Sequence, residues 1–430
     1  MPIMLVAYAP SPVVEDRARV ETPLVIGRDP EAGLALTDAR VSMAHCRITG
    51  RGRFLAIEDL GSTNGTFVNG ERIRAATPLE DEAVIRVGET LLVFHADGSR
   101  LLEPLPPDEE CYKMTGPFHL AGLMAGLREA ALSSRAVLLT GPSGTGKDLA
   151  AGALARMWGL SDPLAHNAAR TASEQEIARV LFGVADRAFT GVSARDGLLA
   201  NAARSGRPLF LDEVHHLPAS VQGVLLRVIE EGWAGRTGAE DAAAPVNVRF
   251  VLASNSPELL SRDLRARLRE TAIPPLRLRV ADVPAIFQAL LAAEARRHDE
   301  ALARMGLERQ APACAPEADH MEALCLSARR GEFDEDNVRA LADLADRLVT
   351  RVVAGVEPAA AADSVFNERF PDARGEETSH YEQHRELISA VFLGAGRNVL
   401  RTVELLKGSG VPWRCSRRHL TSYLERWGLR

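Results

Sequence analysis

The sequence predicts a multidomain chain: an all-β sandwich first, then an α/β domain with a helical extension, and an all-α C-terminal segment. Three observations predict this order. Over residues 1–100, short apolar runs are separated by Gly, Pro, Asn and Asp, which is the spacing of a sandwich. The apolar run Ala136–Thr140 then passes through a glycine-rich turn into a helix-forming stretch, Leu149–Trp158, giving a strand–loop–helix unit. The last fifty residues combine helical patterning, as in Glu386–Phe392, with a local excess of arginine.

Length and composition set the bounds. A chain of 430 residues holds two to four domains, and 46% hydrophobic with 25% charged residues is ordinary for a soluble globular protein. The net charge of −7 excludes a generally basic nucleic-acid coat and leaves room for a local basic patch. Cys46, Cys111, Cys314, Cys325 and Cys415 form no C-x-x-C pair, which argues against a zinc ribbon or a disulfide framework and fits a reducing cytoplasm. There is no basic leader and no run of 18 apolar residues, so the expectation is a cytoplasmic protein without a membrane span. Only Lys113, Lys147 and Lys407 are lysines, and one of the three falls in the glycine-rich turn, where arginine's planar fork is not an equivalent.

In the first segment the strands are expected at Met4–Ala7, Leu24–Ile26, Cys46–Ile48, Phe54–Glu58, Phe67–Val68, Ala83–Val87 and Leu91–Phe94. The loops between them are Val25-Ile26-Gly27-Arg28, Val41-Ser42-Met43-Ala44-His45-Cys46, and Asp59-Leu60-Gly61-Ser62-Thr63-Asn64-Gly65 continuing to Gly70. In order and spacing they resemble a forkhead-associated (FHA) domain. The resemblance implies a phosphothreonine-binding module in which Arg28 and Ser42 hold the phosphate while Thr63 and Asn64 hold the peptide backbone. An arginine–phosphate contact is charge-assisted and worth about 1.5–3 kcal/mol. Gly65 and Gly70 follow asparagines as turn formers, and His45 is expected to brace the loop. Met43 stands where many relatives have Arg. The proline-rich, acidic residues 101–116 read as a semi-extended linker.

The second segment holds the phosphate chemistry. In Gly141-Pro142-Ser143-Gly144-Thr145-Gly146-Lys147-Asp148 the glycines let backbone N–H groups converge on one anion at the positive end of a helix, and Lys147 adds a compact cation. The strand Pro208–Leu211 ends in Asp212 and Glu213, a pair suited to holding Mg²⁺ and polarising water. Together they predict a nucleotide site, with Mg²⁺ at the Asp212–Glu213 pair and Asn255, at the end of Arg249–Ser254, able to sense the γ-phosphate and position water.

Asp148 follows the lysine where Ser or Thr is usual. With Ser-Gly-Thr-Gly-Lys before it, the loop resembles the sigma-54 activator branch of the AAA+ ATPases, which carries Glu there. The resemblance implies ATP as the nucleotide, Asp148 and Asp212 as Mg²⁺ ligands, and Glu213 activating water. The resemblance implies a loop that presses on sigma-54: Ala188, Phe189, Thr190 and Gly191 match it, whereas Arg187 and Val192 depart at its ends and Val184-Ala185-Asp186 replaces a His-Glu-Lys. An exposed contact tip and a buried Phe capping a helix turn both fit these residues. The family's Gly-Glu after the acidic strand is here His215-His216, expected to be a solvated or packed loop; Gly235–Val246 is expected to be a polar loop. Arg267 aligns with one trans-acting arginine finger, and the other finger's position falls on Ser261. Residues 284–355 fit a helical lid, in which Asn337, Val338 and Arg339 match the family and Arg339 is its nucleotide sensor, although Trp-Pro-Gly has become Phe333-Asp334-Glu335-Asp336.

The C-terminal segment resembles the Fis-type helix-turn-helix. Ser416, Arg417, Arg418 and Thr421 lie on the motif's second helix and would face DNA. Nine residues, Lys407–Cys415, separate it from the preceding helix where the family has a few. The expected domains are therefore 1–105 (FHA), 106–116 (linker), 117–283 (α/β ATPase), 284–355 (lid), 356–378 (linker) and 379–430 (helix-turn-helix). The expected function is an FHA-regulated, sigma-54-dependent transcriptional regulator, a ring that the family makes a hexamer. Its expected partners are sigma-54 RNA polymerase, promoter-upstream DNA and a threonine-phosphorylated protein such as a Ser/Thr kinase or its substrate. The alternatives are an ATPase remodelling another partner, and a non-hydrolysing scaffold that binds DNA and phosphopeptide.

Overall fold

The structure is a computed structural model. It describes residues 1–12, 16–51, 54–98, 101, 112–133, 136–170, 173–184, 195–236, 239–245, 247–305 and 316–371, together with Phe392, Leu393, Thr402 and Leu424. Contacts divide the chain into two units, residues 1–362 and 363–430.

The first unit opens with a two-sheet sandwich. Its strands are β1 (Ile3–Tyr8), β2 (Arg17–Arg19), β3 (Leu24–Gly27), β4 (Leu34–Ala35), β5 (Cys46–Arg51), β6 (Phe54–Asp59), β7 (Thr66–Val68), β8 (Glu71–Arg72), β9 (Thr77–Pro78), β10 (Ala83–Val87) and β11 (Thr90–His95). One sheet runs β2-β1-β11-β10-β7-β8 and the other β4-β3-β5-β6-β9. All seven strands expected from the sequence are present, and the four others are two or three residues long, too short to leave a pattern. Ile26, Ile48, Ile57, Ile85, Val87 and Phe94 fill the space between the sheets and are fully buried.

The α/β part follows, with β12 (Ala136–Thr140), β13 (Leu164–Asn167), β14 (Gly183–Val184), β15 (Arg195–Asp196), β16 (Leu209–Asp212), β17 (Trp233–Arg236), β18 (Ala239–Pro245), β19 (Phe250–Ser254) and β20 (Leu268–Ala272). Five of these make a parallel sheet of order β13-β16-β19-β12-β20. Both faces of the three central strands are covered, which is why β12, β16 and β19 read as continuous apolar runs. From β12, Val137 and Leu139 turn toward helices α1 (Leu120–Leu132) and α2 (Lys147–Met157), while Leu138 joins the opposite core with Ile177, Leu181, Leu199 and Leu225. Each fully buried side chain of this size contributes about 1.5–3 kcal/mol. The helices of that opposite face are α3 (Glu174–Phe182), α4 (Leu198–Ser205) and α5 (Ala219–Glu231), followed by the short α6 (Arg262–Ala266). The polar loop expected at 235–246 is instead largely the hairpin β17–β18, whose pairing the alanine-rich composition does not announce.

Helices α7 (Val283–Arg304), α8 (Ala318–Arg329) and α9 (Val338–Val353) complete the first unit's helical layer. On α9 the buried residues Leu341, Leu344, Ala345, Leu348 and Val352 recur at helical spacing. Helix α8 lies against the sandwich. Arg86 of β10 pairs with Glu322 at 2.7 Å and Asp319 at 3.6 Å, and its guanidinium also sits 4.1 Å from the Phe67 ring centre. Arg329 pairs with Glu80 at 2.8 Å, and Tyr8 Oη donates to the Pro316 carbonyl at 3.2 Å.

Helix α10 (Pro358–Arg369) corrects the linker expected at 356–378. Proline at its first position and four consecutive alanines favour a helix, and Ala361, Ala362, Val365 and Phe366 are buried. Beyond it, Phe392, Thr402 and Leu424 are buried.

Candidate functional site

The parallel sheet fixes where a ligand can sit. The chain leaves β12, crosses to β13 at the far edge, steps back through β16 and β19, and then adds β20 on the other side of β12. β12 is thus the point where the winding reverses, and the crevice beyond the carboxyl ends of the strands there is the ligand position of such sheets. The glycine-rich turn begins one residue after β12, and Asp212 and Asn255 stand at the ends of β16 and β19.

The turn has the backbone of an anion cradle. Gly141, Gly144 and Gly146 have φ of 150°, 70° and 96°, conformations closed to other residues without strain. A Cβ on Gly144 would lie 1.9 Å from the Asp336 carbonyl oxygen, so the loop and the residues before α9 are packed backbone to backbone. Gly146 precedes α2 without a side-chain cap, leaving the first N–H groups of that helix for a ligand. Lys147, 6% exposed, donates to the carbonyls of Gly141 and Pro142 at 2.9 Å each. Burial lowers its pKa, and the charges of Asp212 and Glu213 oppose that shift. Thr145 Oγ1 donates to the Pro142 carbonyl at 3.0 Å.

Asp212 and Glu213 face this lysine. Burial raises the pKa of Asp212, the neighbouring Glu213 charge adds to the shift, and Lys147 counters it. Asp212 accepts from the Glu213 N–H at 3.0 Å and from Asn167 Nδ2 at 3.4 Å. Glu213 itself has φ 54°, a strained turn that aims its carboxylate off the strand end. Asp148, exposed in the first turn of α2, adds to the negative potential at Asp212. Carboxylate oxygens crowded beside one another are the donor set a hard cation such as Mg²⁺ takes, so these residues fit that ion. Asn255 is exposed and accepts from Ser256 Oγ at 3.0 Å.

Residues before and on α9 close one side of the cradle. Asn337, fully buried with φ 46°, donates to the Ser143 and Asp334 carbonyls at 3.1 and 2.9 Å and accepts from the Leu276 N–H at 3.0 Å. The Val338 N–H donates to the Gly144 carbonyl at 3.0 Å, and Arg339 reaches Ser143 Oγ at 3.3 Å. Sequence reasoning had placed Arg339 near the nucleotide but missed two neighbours. Arg279 is buried and donates to the Thr145 carbonyl at 3.1 Å; in the sequence nothing distinguishes it from the exposed Arg277 two residues earlier. Asn167 was signalled only by a polar residue at a strand end. Beside the loop, a cleft of about 530 Å³ is lined by His119, Gly122, Leu123, Pro274, Pro275 and Leu278, among others, and suits a flat apolar group next to a phosphate tail.

Arg267 stays outside this cluster. It precedes β20, whose Leu268 pairs with Ala136 at the start of β12, whereas the phosphate loop follows Thr140 at the other end. Strand β12 separates the two positions by five residues, roughly 16 Å at strand rise. Arg267 is exposed and paired with Glu230 of its own chain.

The sandwich gathers its predicted residues at the loops of one end. The Arg28 side chain donates to the Val41 carbonyl at 3.2 Å, Ser42 Oγ accepts from the Thr63 N–H at 3.2 Å, and Asn64 Nδ2 donates to the Arg40 carbonyl at 2.6 Å. Arg28, Thr63 and Asn64 are exposed. Beneath them His45, fully buried, accepts from the Ser42 N–H at 3.1 Å and contacts the Gly65 carbonyl at 3.2 Å, the bracing role expected of it. Burial lowers the His45 pKa, which keeps the ring neutral. Asp59 accepts from Ser62 Oγ at 2.5 Å, from Thr66 Oγ1 at 2.7 Å, and from the Gly61 and Ser62 N–H groups at 3.0 Å. Burial works against its charge, but these hydrogen bonds hold its pKa below the usual carboxylate value.

Phe189, Thr190 and Gly191, and likewise Ser416, Arg417, Arg418 and Thr421, lie outside the described residues. Among the described residues no helix is long and apolar enough to cross a membrane.

Comparison with known proteins agrees with this architecture. Residues 118–273 match the family model of the sigma-54 interaction domain, and residues 24–88 match that of the FHA domain. The chain is 37% identical over 180 residues to the Nif-specific regulatory protein of Azotobacter vinelandii, covering 38% of this chain and 33% of that protein. It is 30% identical over 346 residues to the DNA-binding transcriptional regulator NtrC of Proteus hauseri, covering 76% of this chain and 65% of that one. The chain thus spans from a third to just under two thirds of the length of these curated relatives. Among solved structures, NtrX from Brucella abortus in complex with ADP is similar at 21% identity and a TM-score of 0.46, over 73% of this chain and 69% of that one.

Proposed function

We infer, from the premise that this chain carries a sigma-54 interaction domain of the AAA+ class behind an FHA domain, that it is a phosphothreonine-regulated ATPase that activates sigma-54-dependent transcription. The observation that carries the reading is the convergence of Lys147, Asp212 and Glu213 at the reversal point of the parallel sheet. In this reading the α2 N-terminus and Lys147 bind the phosphates of ATP, and Asp148 and Asp212 hold Mg²⁺, which supplies charge neutralisation when bound. Glu213 orients and deprotonates the attacking water. Asn255 and Arg339 sense the γ-phosphate from two sides. The cleft beside His119 and Leu123 takes the base.

Arg267 stands at the sheet edge away from its own phosphate loop, so serving a nucleotide requires a neighbouring subunit. This supports a homo-oligomeric ring, a hexamer by family analogy. The Phe189–Thr190 loop would push on sigma-54, the 379–430 segment would anchor the ring to promoter-upstream DNA through Ser416, Arg417, Arg418 and Thr421, and Arg28 with Ser42 would receive a phosphothreonine. The domain bounds 1–105, 117–283 and 284–355, and a cytoplasmic location, belong to the same reading.

The test is open-complex formation by sigma-54 RNA polymerase on a supercoiled template carrying the protein's binding site. Opening that needs ATP and is lost in Glu213→Gln and Thr190→Ala is expected. ATP hydrolysis without opening would favour a different remodelled partner, a reading to which Arg187 and Val192 at the loop's ends lend support. Absence of hydrolysis would leave the non-hydrolysing scaffold.

A further inference from the structure

We propose that Glu213, His215 and His216 form a second cation site, suited to a transition ion such as Zn²⁺, whose occupation takes Glu213 away from water and halts the ATPase. Ligand atoms of these three residues all lie within 4.8 Å of one another. The backbone makes the juxtaposition. Glu213 stands in the left-handed region at φ 54°, and the residues after it form one 3₁₀ turn, Val214–His216, closed by the His216 N–H on the Glu213 carbonyl at 3.0 Å. In such a turn residues three apart eclipse, which brings residue 216 over residue 213. Val214, fully buried, pins the turn to the core.

The side chains follow from that turn. His215 Nδ1 is 3.4 Å from Glu213 Oε2, and the two imidazole rings are tilted by 40° with centres 4.2 Å apart. Ser254 Oγ, 3.1 Å from His215 Nδ1, fixes the plane of the first ring from the end of β19. His216 is exposed, so an ion can enter from solvent. Neighbouring histidines were expected to form a solvated or packed loop. The turn instead adds a third donor from two residues upstream.

The donor set decides the ion. One carboxylate and two imidazoles are a known set of three protein ligands for Zn²⁺, with the fourth position left to water. Mg²⁺ prefers oxygen, so it belongs to Asp148 and Asp212 beside the phosphates. The two sites share a border at Glu213, and this makes them competitors. The inhibitory part rests on the ATPase reading above; the binding part does not.

The test uses the full chain, freed of metal, in excess Mg²⁺ to fill oxygen-only sites. Co²⁺ serves as the spectroscopic probe and Zn²⁺ is titrated calorimetrically. The expected result is one Co²⁺ per chain with the visible absorption of a low-coordinate ion, displaced by Zn²⁺, and weakened roughly tenfold or more in His216→Ala and in His215→Ala. Binding of a fluorescent ADP analogue by both variants confirms that the fold is intact. Failure to bind Co²⁺ in the presence of Mg²⁺, or equal binding by His216→Ala, would overturn the site. With binding established, substoichiometric Zn²⁺ should suppress Mg²⁺-ATP hydrolysis by the wild type and spare His216→Ala. Equal suppression of both overturns the brake. Metal binding without hydrolysis in any form strikes the ATPase reading and leaves the site standing.

Discussion

The proposed function gives the molecule two phosphate-binding arrangements, and they are built on opposite principles. At the sandwich end, the groups proposed to meet phosphate are the side chains of Arg28 and Ser42 in the loops that the buried His45 and the hydrogen-bonded Asp59 brace. At the sheet, the cradle is backbone, its lysine is 6% exposed, and its walls are supplied by another layer through Asn337 and Arg279. The first arrangement exposes a cation that water already solvates, so an incoming phosphate gains only a charge-assisted hydrogen bond. The second keeps a partly desolvated cation, whose lowered pKa records the cost, ready for a ligand that restores its partners. Exposed loops suit an exchangeable peptide; a buried cradle suits a nucleotide that must be held during chemistry.

Removing one cation from each end measures that contrast. Lys147→Ala should weaken binding of a fluorescent ATP analogue by about 100-fold or more, since its partners Asp212 and Glu213 would be left as neighbouring uncompensated carboxylates. Arg28→Ala should cost about 10- to 100-fold in affinity for a phosphothreonine peptide, the equivalent of one charge-assisted contact. The two losses should not cross: peptide binding unaffected by Lys147→Ala would sharpen the comparison, and equal losses in both ligands would break it.

A smaller effect concerns acidity and separates the loops from the surface that faces α8. Asp59 has a depressed folded pKa, so its stabilisation is complete above its unfolded value and disappears as pH falls through the folded one. Asp59→Asn should therefore lower the melting temperature at neutral pH and lose its difference from wild type in strong acid. Glu82 has the opposite sign. Burial, then the Asp81 charge, raise its pKa to about 7, against the pull of His119, Arg329 and Arg277. Stability from this group is present below its unfolded value near 4.5 and falls as pH rises toward 7. Glu82→Gln should be more stable than wild type at pH 8 and indistinguishable from it at pH 4, read by thermal melting at each pH.

Much of this was legible in the sequence because local rules determine it. The phosphate loop is specified by glycines whose φ is positive, the acidic strand end by an apolar run stopping at Asp212, and the sandwich loops by turn residues at fixed offsets. What stayed hidden depends on partners distant in sequence. Asn337 acquires its role only because Ser143, Asp334 and Leu276 meet it, and its φ of 46° is invisible in a string of residues. Arg279 looked like any surface arginine until Thr145 closed over it. The hairpin over 233–245 and the helix over 358–369 were read as loop and linker, since alanine-rich segments carry little periodicity and their state is settled by pairing and packing.

Helix α8 is shared property. Its Glu322 and Arg329 make ion pairs to the sandwich, and between them in sequence Cys325 Sγ lies 3.8 Å from the Val280 carbonyl, next to the Arg279 that holds the phosphate loop at Thr145. Two ligands, one at each end, that each bind better to one position of this helix than to another change each other's affinity by an equal factor. The obligation is reciprocal. Under the proposed function, phosphopeptide at the sandwich and ATP at the sheet would then be adjusting a single balance from its two arms.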